Sequence, residues 1–183
     1  MIFTIYAICI VYICLLVLSP KRFTNYLPSF KVYPDNEKEA ELVEKETKSR
    51  AYFDVTFFKK TDESVSDVFH ELLPQYSVGE LNHEISKITV LIYSLKYIIN
   101  RARPYQVNDN ILLLNSKTAN TPSYPAGHAC QAYYLAKYLG KKHPEKQNEL
   151  NQIAQRCDDV RVKAGLHYPS DGVFSKQIID SMI

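Results

Sequence analysis

Apolar residues recur at alternating steps of four and three between residue 81 and about residue 102. The positions are Leu81, Ile85, Ile88, Ile92, Leu95 and Ile99. In an α-helix this spacing places the apolar side chains in one stripe that faces a core. Pro104 disfavours the α conformation for Arg103, so the helix should end near there. The pattern therefore predicts a long helix that is buried on one face and carries both Lys96 and Arg103.

Three further helices are predicted nearer the C-terminus. The first begins in the sequence Ser-Tyr-Pro-Ala-Gly-His at 123–128 and continues through Tyr138. The second follows Pro144, a favourable first-turn residue, and the third begins at Pro169 and Ser170. No segment alternates between apolar and polar residues with flanking turn signals, as a half-buried strand would. The chain is therefore predicted to form an all-α domain.

The N-terminus carries an almost unbroken apolar run from residue 2 to residue 18, without a charged residue. This is the short end of a membrane-spanning length, so residues 1–20 are predicted to be a single-pass membrane anchor. A cleaved signal peptide, which would leave a secreted or lumenal protein, is the alternative, and a buried helix is a third. The signal peptide is less favoured because a basic region before the run and a small-residue cleavage site are missing. Lys21 and Arg22 favour a cytoplasmic position for the rest of an anchored chain.

The remainder of the chain is predicted to be a linker at 21–34, which contains two prolines, and one domain at 35–183. A chain of 183 residues that is 46% apolar can bury one ordinary core. The segment 35–48 is rich in Glu and Lys and is predicted to be a solvated helix whose charges need no partner.

The charge balance and the cysteines exclude several function classes. The net charge is +2, from 22 basic and 20 acidic residues, so nothing indicates nucleic-acid binding or a polybasic membrane surface. The four cysteines lack metal-ligand spacing, and we expect Cys130 and Cys157 to be free buried thiols. A homo-oligomer remains open.

Arg161 is the first residue that indicates chemistry. It lies four residues after Cys157 and eleven after Leu150, in register with the apolar face of its predicted helix. A buried guanidinium needs a partner, and its planar fork suits a carboxylate or a phosphate. An ion pair with Asp158 or Asp159 is the structural alternative, although both are awkwardly placed on the same helix.

Lys96 and Arg103 are seven residues apart, so on one helix they would project from nearly the same face. The alternative is that both are surface cations whose stems cover the apolar stripe. At 123–128 the chain turns into a predicted helix N-terminus, where free backbone N–H groups favour an anion such as phosphate. Gly127 lets a ligand approach the backbone closely, and His128 follows within reach.

His167 and Asp171 are four residues apart at the start of the last predicted helix, so the carboxylate can reach and orient the imidazole. An oriented neutral imidazole can attack phosphorus and form a covalent intermediate. The alternative is a capping aspartate beside a structural histidine.

These residues form three ordered blocks. In the first block, six residues separate Lys96 from Arg103-Pro104. The second block is Pro125-Ala126-Gly127-His128. In the third, five residues separate Arg161 from His167 and three separate His167 from Asp171. This order resembles the signature of the type-2 phosphatidic acid phosphatase (PAP2) superfamily, which includes bacterial class A nonspecific acid phosphatases and vanadium haloperoxidases. The context Arg101-Ala102-Arg103-Pro104 and Ser123-Tyr124-Pro125 is most similar to the class A enzymes. The likeness is clear from about residue 85 to 171 and fainter back to about residue 52.

The resemblance implies a helical bundle of the PAP2/haloperoxidase type that hydrolyses phosphate monoesters, soluble or lipid, through a phosphohistidine and without a metal or other cofactor. It implies that His167 is the nucleophile, Asp171 its orienting partner and His128 the acid for the leaving oxygen. The phosphate ligands that it implies are Lys96, Arg103, Arg161 and the backbone at Ala126 and Gly127.

Two residues depart from the family pattern, because Ala126 and Val160 stand where serine is usual. Each change removes a hydroxyl, and one such donor is worth on the order of 10² to 10³ in rate in other oxyanion sites. An alternative is therefore a catalytically weak or silent phosphate- or phospholipid-binding membrane protein. A vanadium-dependent haloperoxidase is less favoured, because those chains are usually much longer. The polar core helices favour soluble substrates.

Overall fold

The computed structural model describes the backbone of residues 2–183 and the side chains of residues 4–183. Over this range the chain is all-α, as predicted, and outside its helices it forms one isolated backbone bridge, between Arg22 and Arg101. The helices are α1 (Ile2–Leu18), α2 (Asn36–Lys48), α3 (Tyr52–Thr61), α4 (Ser66–Leu72), α5 (Val78–Ile99), α6 (Pro104–Val107), α7 (Gly127–Lys142), α8 (Gln147–Lys163) and α9 (Pro169–Met182).

Helix α7 lies at the centre of the molecule and packs against α5, α8 and α9. Small buried residues on α7 let the neighbouring helices approach closely; they include Ala129, Ala132 and Ala136. Side chains from α4, α5, α8 and α9 complete the main core. Cys130 and Cys157 are buried in that core and free, as predicted.

Helix α5 confirms the predicted stripe, because five of its six apolar positions are buried: Leu81, Ile85, Ile88, Ile92 and Ile99. Ser77 caps its N-terminus, and the Ser77 amide donates to the Glu80 carboxylate at 2.7 Å in a capping box. The predicted C-terminus was wrong. The helix ends at Ile99 because Asn100 adopts a left-handed conformation with φ of 53°.

Arg103 therefore does not share a helix with Lys96, and the prediction that both project from one helical face was also wrong. Arg103 lies in extended backbone as the N-terminal cap of the short helix α6. Its position depends on the turn at Asn100, whose side-chain amide donates to the carbonyls of Thr24 and Leu27 at 2.9 and 2.8 Å.

Helix α2 is buried on one face, contrary to the prediction of a solvated helix without partners. Ala40 and Val43 join a small core with residues of α8 and the following segment. Glu39 is also buried and forms an ion pair with Arg101. The acidic residue on the inner face of α2 therefore has a specific partner that its local sequence does not indicate.

Helix α1 exposes its apolar side chains; Ile8 is 64% and Leu18 is 83% exposed. Within residues 2–183, no helix has the length and apolar character needed to cross a membrane. Met1, which belongs to the predicted anchor segment 1–20, lies outside the described residues. The segment after α1 is held against the C-terminus of α5, where the amides of Phe23 and Phe30 donate to the carbonyls of Asn100 and Ile99, both at 3.1 Å.

Candidate active site

Three cationic side chains from separate parts of the chain line one cavity of about 170 Å³. Lys96 comes from α5, Arg103 from the segment before α6, and Arg161 from the last turn of α8. They are only 4%, 2% and 1% exposed. The cavity is also lined by Gly127, His128 and His167. The structure thus brings six of the eight predicted site residues to one place.

Asp171 lies directly behind His167 rather than in the cavity wall. Its Oδ2 accepts from His167 Nδ1 and from the Tyr168 amide, both at 3.0 Å. Asp171 occupies the first turn of α9, where a carboxylate also satisfies free backbone amides. The hydrogen bond to Asp171 assigns the proton of neutral His167 to Nδ1. Nε2 then faces the cavity with its lone pair, where it accepts a hydrogen bond of 3.3 Å from Arg103.

Burial, reinforced by the positive charges of Arg103 and Lys96, holds the pKa of His167 well below its usual value. His167 is therefore neutral near pH 7. A neutral, oriented imidazole whose Nε2 faces a cationic cavity is the form that a nucleophilic histidine requires.

His128 lies in the first turn of α7 and contacts both Arg161 and Asp62. Its Nε2 donates to the Asp62 carbonyl at 2.9 Å, and its Nδ1 accepts from Arg161 at 3.2 Å. Burial and the neighbouring Arg161 lower the pKa of His128 well below its usual value. Without a bound ligand, the protein therefore holds His128 in its neutral form.

Arg161 pairs with Asp62, not with Asp158 or Asp159. Its guanidinium donates to Asp62 Oδ1 at 2.9 Å and to Thr118 Oγ1 at 3.3 Å. Its Nε is buried without a hydrogen-bond partner. Asp62 follows α3 and lies 99 residues before Arg161 in the chain. Nothing in the local sequence could have identified this partner, because it depends on how α3 packs against α8.

Lys96 and Arg103 are held by backbone carbonyls instead of carboxylates. Lys96 Nζ donates to the Pro122 carbonyl at 2.6 Å, and Arg103 donates to the carbonyls of Thr121 and Leu166 at 2.8 and 2.9 Å. Burial, with the positive charge of Arg103 next, lowers the pKa of Lys96 to about 7. Burial likewise lowers the pKa of Arg103 to about 10. Burial is the main cause of both shifts, so a bound anion would favour the charged forms of both groups.

The two backbone positions predicted to bind phosphate behave differently. Gly127 is the first residue of α7 and lines the cavity, and a β-carbon there would lie 3.5 Å from Lys96 Cε. Ala126 does not line the cavity: its side chain is buried in the core, and its amide donates to the Asp171 carbonyl at 3.4 Å. Val160 is also buried, against Phe58, and lies outside the cavity wall.

Sequence reasoning missed Arg101 as a member of the site. It is fully buried and donates to Asp171 Oδ1 at 2.6 Å. The sequence did carry a signal, because Arg101 is an additional arginine close to Arg103. It was treated only as context for the motif. Two arginines within three residues of an apolar helix end indicate that at least one has a buried partner.

The sequence was compared with protein-family models and with curated proteins. No protein-family model matches the chain, and no curated protein has a significantly similar sequence.

Proposed function

We propose that this chain is a phosphomonoesterase of the PAP2 type that transfers the phosphoryl group to His167. One observation carries the proposal: Lys96, Arg103 and Arg161 line the same small cavity as the imidazole of His167. Asp62 neutralises Arg161, whereas Lys96 and Arg103 are held by neutral carbonyls. A phosphate group would supply negative charge to these two cations and accept from the Arg161 Nε.

In the proposed reaction, His167 Nε2 attacks phosphorus as the bond to the leaving oxygen breaks. The three cations bind the equatorial oxygens, which is the main requirement of phosphoryl transfer. His167 becomes positively charged as it takes the phosphoryl group, and Asp171 stabilises that charge through Nδ1–H. His128 donates a proton to the leaving oxygen. In the second step His128 takes a proton from water, which attacks phosphorus and frees Nε2.

His128 must gain a proton before it can act as the acid. Its pKa is lowered in the protein alone by burial and by Arg161. The negative charge of a bound phosphate monoester acts in the opposite direction and favours the imidazolium. Substrate binding is therefore coupled to proton uptake in the proposed mechanism.

The proposal is tested by phosphate release from an aryl phosphate with the His167→Ala variant. We expect a loss of about 10³-fold or more in kcat, because removal of the nucleophile removes the covalent route. His83→Ala is the matched control, because His83 is exposed on α5 and outside the cavity. A His167→Ala rate equal to that of the unmodified protein would reject the proposal. Acid-labile phosphate labelling of the protein, lost in His167→Ala, would identify the intermediate.

A second candidate is a phosphate-binding protein without turnover, and Ala126 favours it. The Ala126 methyl group offers no hydroxyl, and its amide already donates to Asp171. The cavity thus has one donor fewer than the family pattern. Calorimetric phosphate binding without phosphate release, abolished by Arg161→Ala, would support this candidate. Phosphate release by the unmodified protein would instead reject this candidate.

We also propose that α1 attaches the domain to a membrane. Its exposed apolar side chains, such as Ile8 and Leu18, support this location. The full-length protein should sediment with phospholipid vesicles and remain bound after a high-salt wash. Recovery of the protein in the supernatant would contradict the proposal.

A further inference from the structure

Arg101 connects two acidic groups behind the cavity. It is fully buried in the segment between α5 and α6 and does not line the cavity. One terminal nitrogen donates to Asp171 Oδ1 at 2.6 Å, and the other donates to Glu39 Oε2 at 2.7 Å. Helix α2, which carries Glu39, is thereby linked to the His167–Asp171 pair.

The rest of the Arg101 guanidinium is also held. Its Nε donates to Asn36 Oδ1 at 2.9 Å, and NH1 also donates to Ser170 Oγ at 2.8 Å. Its plane lies between the rings of Tyr168 and Tyr33, with centroid distances of 3.8 and 4.4 Å. A guanidinium confined in this way has one orientation, which in turn defines the orientation of Asp171.

The charges in this cluster do not cancel. Arg101 contributes one positive charge, whereas Glu39 and Asp171 contribute two negative charges, both on buried groups. Because Glu39 already neutralises Arg101, the charge of Asp171 stays available to His167. Buried charges are normally paired, and Arg101 is the cationic partner of Asp171.

We propose that Arg101, held by Glu39, is a positioning residue for the reaction proposed above: it binds Asp171 Oδ1 and directs Oδ2 to His167 Nδ1. Oδ1 binds Arg101, which leaves Oδ2 for the imidazole and the Tyr168 amide. Loss of Arg101 would let Asp171 rotate, and the tautomer of His167 would no longer be defined.

Other ionisable groups also face the pair and affect its titration. Arg103 and Lys96 approach from the cavity side, Arg161 and Asp158 from α8, and Tyr33, Tyr124 and Tyr168 surround Arg101. The test therefore compares variants that change Arg101 and Glu39 and leave these groups intact.

The experiment measures kcat, KM and the pH profile of aryl phosphate hydrolysis for Arg101→Met, Arg101→Lys and Glu39→Gln. We expect Arg101→Met to lower kcat by about 10- to 100-fold, the usual effect of losing a partner that orients a reacting group. KM should change little, because Arg101 does not line the cavity. The pH profile should also change, because the variant loses the positive charge beside the His167–Asp171 pair. Arg101→Lys should restore part of the rate.

Arg50→Met is the matched control, because the Arg50 side chain donates to the carbonyls of Leu112 and Lys163 away from the cavity. It should affect stability without moving the pH profile. Glu39→Gln keeps the test valid if Arg101→Met does not fold. Glu39→Gln should lower kcat with an unchanged KM, because Arg101 would then neutralise Asp171. Folded variants at positions 101 and 39 with the kcat and pH profile of the unmodified protein would overturn the proposal.

A second readout separates this proposal from the phosphatase proposal on which it rests. Nitrogen-15 NMR of His167 reports the tautomer without turnover. The unmodified protein should show a protonated Nδ1, and Arg101→Met should show a mixture of tautomers. If the unmodified protein has no phosphatase activity, the proposed function fails while the tautomer still tests Arg101. An unchanged tautomer in Arg101→Met would overturn the positioning role.

Discussion

Asp158 illustrates how burial changes the role of a single residue. It lies in α8 three residues before Arg161, and the Tyr133 hydroxyl donates to its Oδ2 at 3.1 Å. Its Oδ1 is buried without a hydrogen-bond partner. Burial raises the pKa of Asp158 to about 7. The protonated form is therefore the one that the folded protein favours.

We predict that Asp158→Asn stabilises the protein above neutral pH. The pKa of Asp158 in the folded protein lies above the unfolded value of 3.8. Asp158 therefore makes its full contribution to stability below pH 3.8, and this contribution is lost as the pH rises through about 7. The neutral amide avoids this loss. At about pH 8 the gain should be about 1–3 kcal/mol, and at pH 4 it should nearly vanish.

Urea unfolding at both pH values measures the difference. Asp109→Asn is the control, because Asp109 is exposed and is not among the charges that shift the pKa of Asp158. An equal gain at both pH values would contradict the assignment of the effect to Asp158 ionisation.

Helices α8 and α9 approach each other so closely that one contact excludes a β-carbon. A β-carbon added to Gly172 in α9 would lie 2.0 Å from Asp158 Oδ2 on α8. The side chain of Asp158 is buried between α7, α8 and α9 and has little room to move. Gly172 is therefore required by helix packing, although alanine has the higher helix propensity.

We predict that Gly172→Ala destabilises the protein by about 1–3 kcal/mol, the usual cost of overpacking a core. Gly79→Ala is the matched control, because the nearest atom to a β-carbon at Gly79 is Ser77 Oγ at 3.9 Å. Thermal unfolding should show a lower Tm for Gly172→Ala and an unchanged or higher Tm for Gly79→Ala. Adding Asp158→Ala to Gly172→Ala should cost less than the sum of the two single changes. Additive losses would argue against the contact.

At the scale of the whole molecule, folding brings several basic groups together in the cavity, where burial disfavours their protonated forms. The pKa values of Lys96, His128 and His167 are all lowered, chiefly by burial. The folded-state values lie below the unfolded ones, so the stability associated with the neutral forms is lost as the pH falls through the folded-state values. A bound dianion should compensate, because it favours the protonated forms.

We predict that tungstate, a tetrahedral dianion like the phosphate of a monoester, raises the Tm more at pH 6 than at pH 9. Lys96 has a pKa of about 7, so it carries its charge only at the lower of these pH values. At a tungstate concentration of about 100 times Kd the stabilisation is about 2.7 kcal/mol. For a protein of this size that corresponds to an increase of about 5–10 °C.

Differential scanning calorimetry measures the increase in Tm. Lys96→Met should reduce it and remove most of its pH dependence. The control Lys87→Met changes an exposed lysine of the same helix that pairs with Glu84, and it should behave like the unmodified protein. An equal increase at both pH values in the unmodified protein would contradict the role of Lys96.

The sequence by itself determined the all-α class, the stripe of α5, and the helices that begin near Gly127 and Pro169. Each of these depends on spacing or turn chemistry within a few residues. The pairing of His167 with Asp171 was predictable for the same reason, because the two residues are four apart where the chain enters α9.

Only the tertiary structure decided which distant residues meet. Asp62 pairs with Arg161 across 99 residues, and Glu39 reaches Arg101 across 62. Arg103 enters the cavity from outside α5, because the left-handed turn at Asn100 ends that helix early. Such contacts depend on how helices pack and not on local spacing. The sequence alone therefore indicated a buried cation but could not identify its partner.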